Sequence, residues 1–135
     1  MTLKELLQNH TWKNVSAKFL EIYPEAEENI KGYEMVFERL KKMQPEENDF
    51  AIIITKETDE DDDYFEVSGL HKHPKTKEET YPQEIEFTPW RQWLGMDIYQ
   101  ASLDNFSEQE IVVHCLYEMT FVSFSEEEIQ KVLKR

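Results

Sequence analysis

Glycine and proline are scarce in this 135-residue chain, at three and five residues, and cysteine occurs once. Gly32, Gly69 and Gly95 are too few and too scattered to build a phosphate-cradling loop. Gly-x-Ser-x-Gly, His-Glu-x-x-His and Cys-x-x-Cys are also missing, so no familiar hydrolase, zinc-protease or thiol-redox signature is present. A lone Cys115 excludes an intramolecular disulfide and points to a reducing compartment, with cytoplasm as the expectation. No apolar run approaches the roughly 20 residues needed to cross a bilayer. The opening Met1–Leu7 alternates charge with leucine and does not read as a signal peptide.

Positive charge is in short supply. Fifteen Lys and Arg face 29 Asp and Glu, for a formal net charge of −14. The imbalance is local. Residues 1–45 carry seven of each sign, residues 46–88 carry four basic and fourteen acidic, and residues 89–135 carry four and eight. Such a surface argues against binding nucleic acid or an anionic membrane, because both need Lys and Arg at the contact. It suits a basic protein partner, and its plain alternative is solubility.

What is present is core-forming material, 39% hydrophobic and 13% aromatic, enough for one folded domain over 1–135. Thr2 followed by Glu5 is a capping-box pattern ahead of Leu3, Leu6 and Leu7. Trp12, Val15, Phe19, Ile22 and Tyr23 recur at helical spacing, and Pro24 ends that helix or starts the next. Ala26, Ile30, Tyr33, Val36, Phe37, Leu40 and Met43 fall on one arc of a further helix, with Lys41 and Lys42 in its last turn.

The period then changes. Phe50–Thr55 is a β-branched run, Tyr64–Leu70 alternates, and Glu84–Phe87 alternates after Pro82, so three strands are expected. Polar turns at 58–63 and 73–77 separate them and predict an antiparallel meander. Thr88 and Pro89 then open a short helix with Trp90, Trp93 and Leu94, stopped by Gly95. The stretch from Met96 to Phe106 is open between helix and loop. Ser107 with Glu110, and Ser125 with Glu128, are capping boxes for two more helices, the first apolar on both sides. Helices, then strands, then helices predict an α+β fold with the helices on one face of the sheet.

Four features carry chemical weight. The acidic turn places Asp59, Asp61, Asp62 and Asp63 together. Alternate aspartates suggest a calcium loop, but its required Gly and closing Glu are replaced by Tyr64 and Leu70. A partner-binding acidic loop or a solvated hairpin tip fits better. His71 and His73 share one face of a strand and would need a third ligand, such as His114 or Cys115, to hold zinc. Glu110, His114 and Glu118 form an i, i+4, i+8 stripe. It reads as a helix-surface histidine that two carboxylates could orient for acid–base work. Cys115 points away from His114 and reads as a buried structural thiol. Trp90 and Trp93, three apart, either anchor their helix to a core or line a contact surface for a peptide or a second copy.

Trp90–Met96 (WRQWLGM) followed by His114–Phe121 (HCLYEMTF) resembles a family of small proteins from Bacteroides-type bacteria classed only as a domain of unknown function. The resemblance implies no catalytic residues. The leading expectation is a non-enzymatic acidic interaction domain, immunity-like or regulatory, that binds a basic protein without a cofactor. The alternative is a small hydrolase or metal-dependent enzyme using His114 with Glu110 and Glu118.

Overall fold

The computed structural model describes residues 1–46, 50–72, 79–80 and 90–122. Its helices are α1 (Leu3–Gln8), α2 (Trp12–Ile22), α3 (Ile30–Lys42), α4 (Trp90–Gly95), α5 (Gln100–Asn105) and α6 (Glu108–Val122). The strands are β1 (Phe50–Thr58), β2 (Asp63–Lys72), β3 (Glu79–Thr80) and β4 (Asp97–Ile98). The class is α+β, as the period changes require.

The sheet runs in the order β3-β2-β1-β4. β1 and β2 form an unbroken antiparallel ladder from Phe50 opposite His71 to Thr58 opposite Asp63. β4 pairs in parallel with Ala51 and Ile52 of β1, so the sheet is mixed rather than a pure meander. Helices α4 and α5 flank that extra strand, so helices also lie between strands. The correction has a local cause. Residues 96–98 are held extended between β1 and the chain start. Leu3 N–H donates to Met96 O at 3.1 Å, and Ile98 N–H donates to Met1 O at 2.7 Å. Two-residue strands carry no readable period. The expected third strand at Glu84–Phe87, the turn at 73–77, the cap at Thr88 and the helix after Ser125 lie outside the described residues.

Beyond β4, a side chain takes over the outer edge of β1. Tyr99 N–H donates to Ile52 O at 2.9 Å. Ile54 N–H donates to the Ser102 hydroxyl at 2.9 Å, and that hydroxyl reaches back to Ile54 O at 3.4 Å. The backbone N–H and C=O groups of Ile52 and Ile54 therefore point away from β2, while those of Thr55 and Glu57 point toward Glu66 and Tyr64 of β2.

Capping signals place the helix starts. The Thr2 hydroxyl accepts from Glu5 N–H at 3.2 Å, and Thr11 serves α2 in the same way. Ser107 and Glu110 form a complete reciprocal box: Ser107 N–H donates to Glu110 Oε1 at 3.3 Å, and Glu110 N–H donates to Ser107 Oγ at 3.2 Å. Pro24 closes α2 and opens a 3₁₀ turn, Pro24–Asn29, so α3 starts four residues after Ala26 rather than at it. The far end of α3 is closed from a distance. Lys4 Nζ donates to the carbonyls of Leu40 at 3.1 Å, Met43 at 2.7 Å and Lys41. Burial, then the Lys41 charge, hold the Lys4 ammonium below its usual lysine range.

The core joins Leu3, Leu6 and Leu7 of α1, Val15 and Phe19 of α2, Tyr33, Val36, Phe37 and Leu40 of α3, and Ile52 and Ile54 of β1 to α4 and α6. Helix α6 lies at the centre. Ile111 through Leu116 are all buried, so this helix has no wet face along those six residues.

Candidate functional site

Two places hold most of the residues of interest: the tip of the β1–β2 arm and the middle of α6. At the tip, residues 59–64 are all exposed. The turn is tight, with Asp59 N–H donating to Asp62 O at 2.9 Å and the Asp59 carboxylate accepting from Glu60 N–H at 2.7 Å. Asp59, Glu60, Asp61, Asp62 and Tyr64 line an open concavity of about 470 Å³. Among the described residues, Asp63 is the one carboxylate of the tip with a cation, with Lys56 Nζ at 3.2 Å and the Thr58 hydroxyl at 3.0 Å. Those bonds hold its carboxyl below the usual range. Tyr64, 46% exposed, is one of two large hydrophobic side chains left in solvent among the described residues.

His114 departs from its sequence expectation. It is not on a helix surface but fully buried, because α6 is enclosed by α2, β2 and the α5–α6 connection. Phe65 of β2 stacks on the imidazole with centroids 3.9 Å apart. Phe106 and Tyr23 approach edge-on at 6.0 and 5.7 Å. Tyr23 Oη lies 3.0 Å from Nδ1, while Nε2 has no hydrogen-bond partner among the described residues. Burial, partly offset by the Glu110 charge, pulls the His114 pKa down to about 4, so the ring is neutral at pH 7.

The carboxylates of the stripe serve elsewhere. Glu110 completes the α6 capping box. Glu118 is half-buried, and burial followed by the Glu66 charge pushes its carboxyl up. Neither hydrogen-bonds His114 among the described residues. Around them, Tyr23 stacks on Tyr117 at 4.0 Å, and Phe19 lies 4.5 Å from Tyr33. Burial raises the Tyr23 and Tyr33 phenols well above their ordinary value. Sequence reasoning missed this tyrosine cluster as a unit. Its members come from three helices, and only the apolar spacing of each was visible.

Trp90 and Trp93 are 2% exposed and belong to the core. The Trp93 indole N–H has no partner among the described residues. Cys115 is buried, and burial lifts its thiol to about 12, which leaves it unreactive at neutral pH. His71 sits on β2 opposite Phe50 and Thr80, and His73 lies outside the described residues. Among the described residues no three His, Cys, Asp or Glu groups are placed to share a metal, and no helix is long and apolar enough to cross a membrane.

No curated protein and no solved structure matches the chain. A family does match it, over residues 4–135, nearly the full length, including the helices and strands that build both places just described. The chain belongs to that family, DUF6557, a family of unknown function.

Proposed function

We propose that this chain is a non-enzymatic interaction protein whose β1–β2 tip docks on a basic protein surface, in an immunity-like or regulatory role. The observation that supports it is the exposed run Asp59–Asp63 at the end of a long two-stranded ladder, with one cation, Lys56, set against it. The ladder holds these charges in a defined shape, which lowers the ordering cost of binding. Tyr64 beside them offers an apolar, amphipathic contact of the kind enriched at interfaces. Unpaired like charges on one tip would speed encounter with a cationic surface.

Capture from lysate of the parent organism tests this, using wild type beside a variant with Asp59, Asp61, Asp62 and Asp63 changed to Asn. A basic protein is expected on wild type alone, released by raised salt. With that partner purified, its dissociation constant should weaken steeply with ionic strength. Binding that ignores both the substitutions and the salt would overturn the proposal.

The alternative, a small hydrolase or metal-dependent enzyme built on His114, Glu110 and Glu118, has less support. The imidazole lies under aromatic rings rather than in a cleft, and Glu110 is engaged at the helix cap. Proton transfer to a substrate needs hydrogen-bond reach from the base.

A further inference from the structure

We propose that His114 is an acid-operated latch: its neutral ring fastens the β1–β2 arm and the end of α2 onto α6, and protonation releases them. The geometry is a closed cage. Phe65 brings β2 onto one face of the imidazole at 3.9 Å, Phe106 closes a side, and Tyr23 ties the last residue after α2 to Nδ1 at 3.0 Å. A neutral imidazole protonated at Nδ1 fits this cage: it donates to Tyr23 Oη and leaves a bare Nε2 lone pair rather than an N–H donor without a partner. An imidazolium does not. It donates from Nδ1 to the Tyr23 oxygen and is left with a charged Nε2–H that has no acceptor among the described residues. A buried, charged, unpartnered donor is among the costliest arrangements in a protein interior. Above about pH 4 the ring therefore has to leave the cage to hold a proton.

On α6 itself, Glu110 lies one turn before the ring and Glu118 one turn after. Glu110 favours the imidazolium, and burial outweighs it. From β2 the ring meets Phe65, with Glu66 acting on Glu118. Tyr23 comes from α2. The α5–α6 connection contributes Phe106, and Glu108 at the start of α6 is occupied by His10 at 3.1 Å. No carboxylate of this set is hydrogen-bonded to His114.

The direction with pH follows. The closed form keeps the ring neutral down to about pH 4, whereas a released ring titrates near 6.5. Acid therefore favours release, the bias growing below pH 6.5 and saturating near 4. The two values differ by a factor of roughly 300 in proton affinity, which bounds the shift of the opening equilibrium. Glu118 works the other way: its raised carboxyl favours the closed form in acid. It remains in a His114→Phe variant, which isolates the imidazole.

Phe65 lies two residues from Asp63, so release should loosen the distal arm first. Hydrogen exchange by NMR on the full chain, corrected for intrinsic rates, reads this. As pH falls from 6.5 to 4, protection of the Tyr64 and Glu66 amides, which face β1, should drop by up to about 300-fold. The amides of Val36–Leu40 in α3 should hold. In His114→Phe, which keeps a ring against Phe65, the drop should vanish. The idea is overturned if Tyr64 and Glu66 stay protected, if α3 loses protection in step with them, or if the variant opens as wild type does. Should that variant not fold, the wild-type His114 ring resonance decides. Titration at an ordinary histidine value with the arm still protected sinks the latch; titration near 4 that tracks arm opening supports it.

Discussion

Residues 111–116 of α6 and residues 59–64 of the hairpin tip are stretches of equal length with opposite surroundings. The first six are all buried and the second six all exposed. In the helix, one polar side chain, His114, falls among five apolar ones, and its state is dictated by its neighbours: neutral, one nitrogen bonded, ringed by aromatics. At the tip, five carboxylates sit side by side in exposed positions, with Asp63 held by Lys56 and Thr58 and Asp59 bonded to the Glu60 N–H. Burial turns a single titratable group into a structural commitment. Exposure lets the chain accumulate charge at small cost and keep it for an encounter.

The contrast is sharpest where packing is densest. Phe19 is fully buried and touches the rings of Tyr23, Tyr33 and Tyr117. Phe19→Ala should cost about 3–5 kcal/mol in a denaturant titration, the range for a buried aromatic whose cavity cannot collapse. A loss below about 1 kcal/mol would mean the tyrosine cluster repacks and the helical half is looser than its geometry says. A smaller effect tests the boundary between the two regions. Ser102→Ala leaves the Ile54 N–H buried without its acceptor, and should cost about 1–3 kcal/mol. Its exchange signature should be confined to β1 near Ile54. The smallest effect belongs to the tip. Changing Asp59, Asp61 and Asp62 to Asn should move stability by no more than about 0.5 kcal/mol, since these groups are exposed and Asn can still accept from backbone N–H. A large destabilisation there would erase the contrast and show that the tip is structural.

Much of the helical half could be read from the chain because its signals are local. Thr2 and Ser107 capped where their spacing to the first turn said they would, and Tyr33, Val36, Phe37 and Leu40 lined one buried face. The β1–β2 pair was also legible, though both strands run further than the apolar stretch alone suggested, into the acidic turn itself. What escaped was non-local. The two residues of β4 owe their conformation to β1 and to Met1–Leu3, and nothing in Asp97–Ile98 announces it. His114 was read as a surface residue because Glu110 and Glu118 share its stripe. The closing of that stripe depends on Phe65, from a strand far off in sequence, and on the fold of the connection that carries Phe106 back over the helix.

The Lys4 ammonium carries a consequence of a different kind, for the order of folding. It reaches carbonyls 36 to 39 residues away and supplements the local cap, in which Met43 N–H donates to Arg39 O and Leu40 O. Until α1 arrives, the Lys41 and Met43 carbonyls lack these donors and the turn frays more easily. Docking of the first helix therefore finishes the third, and the N-terminal half should assemble in one cooperative step rather than helix by helix.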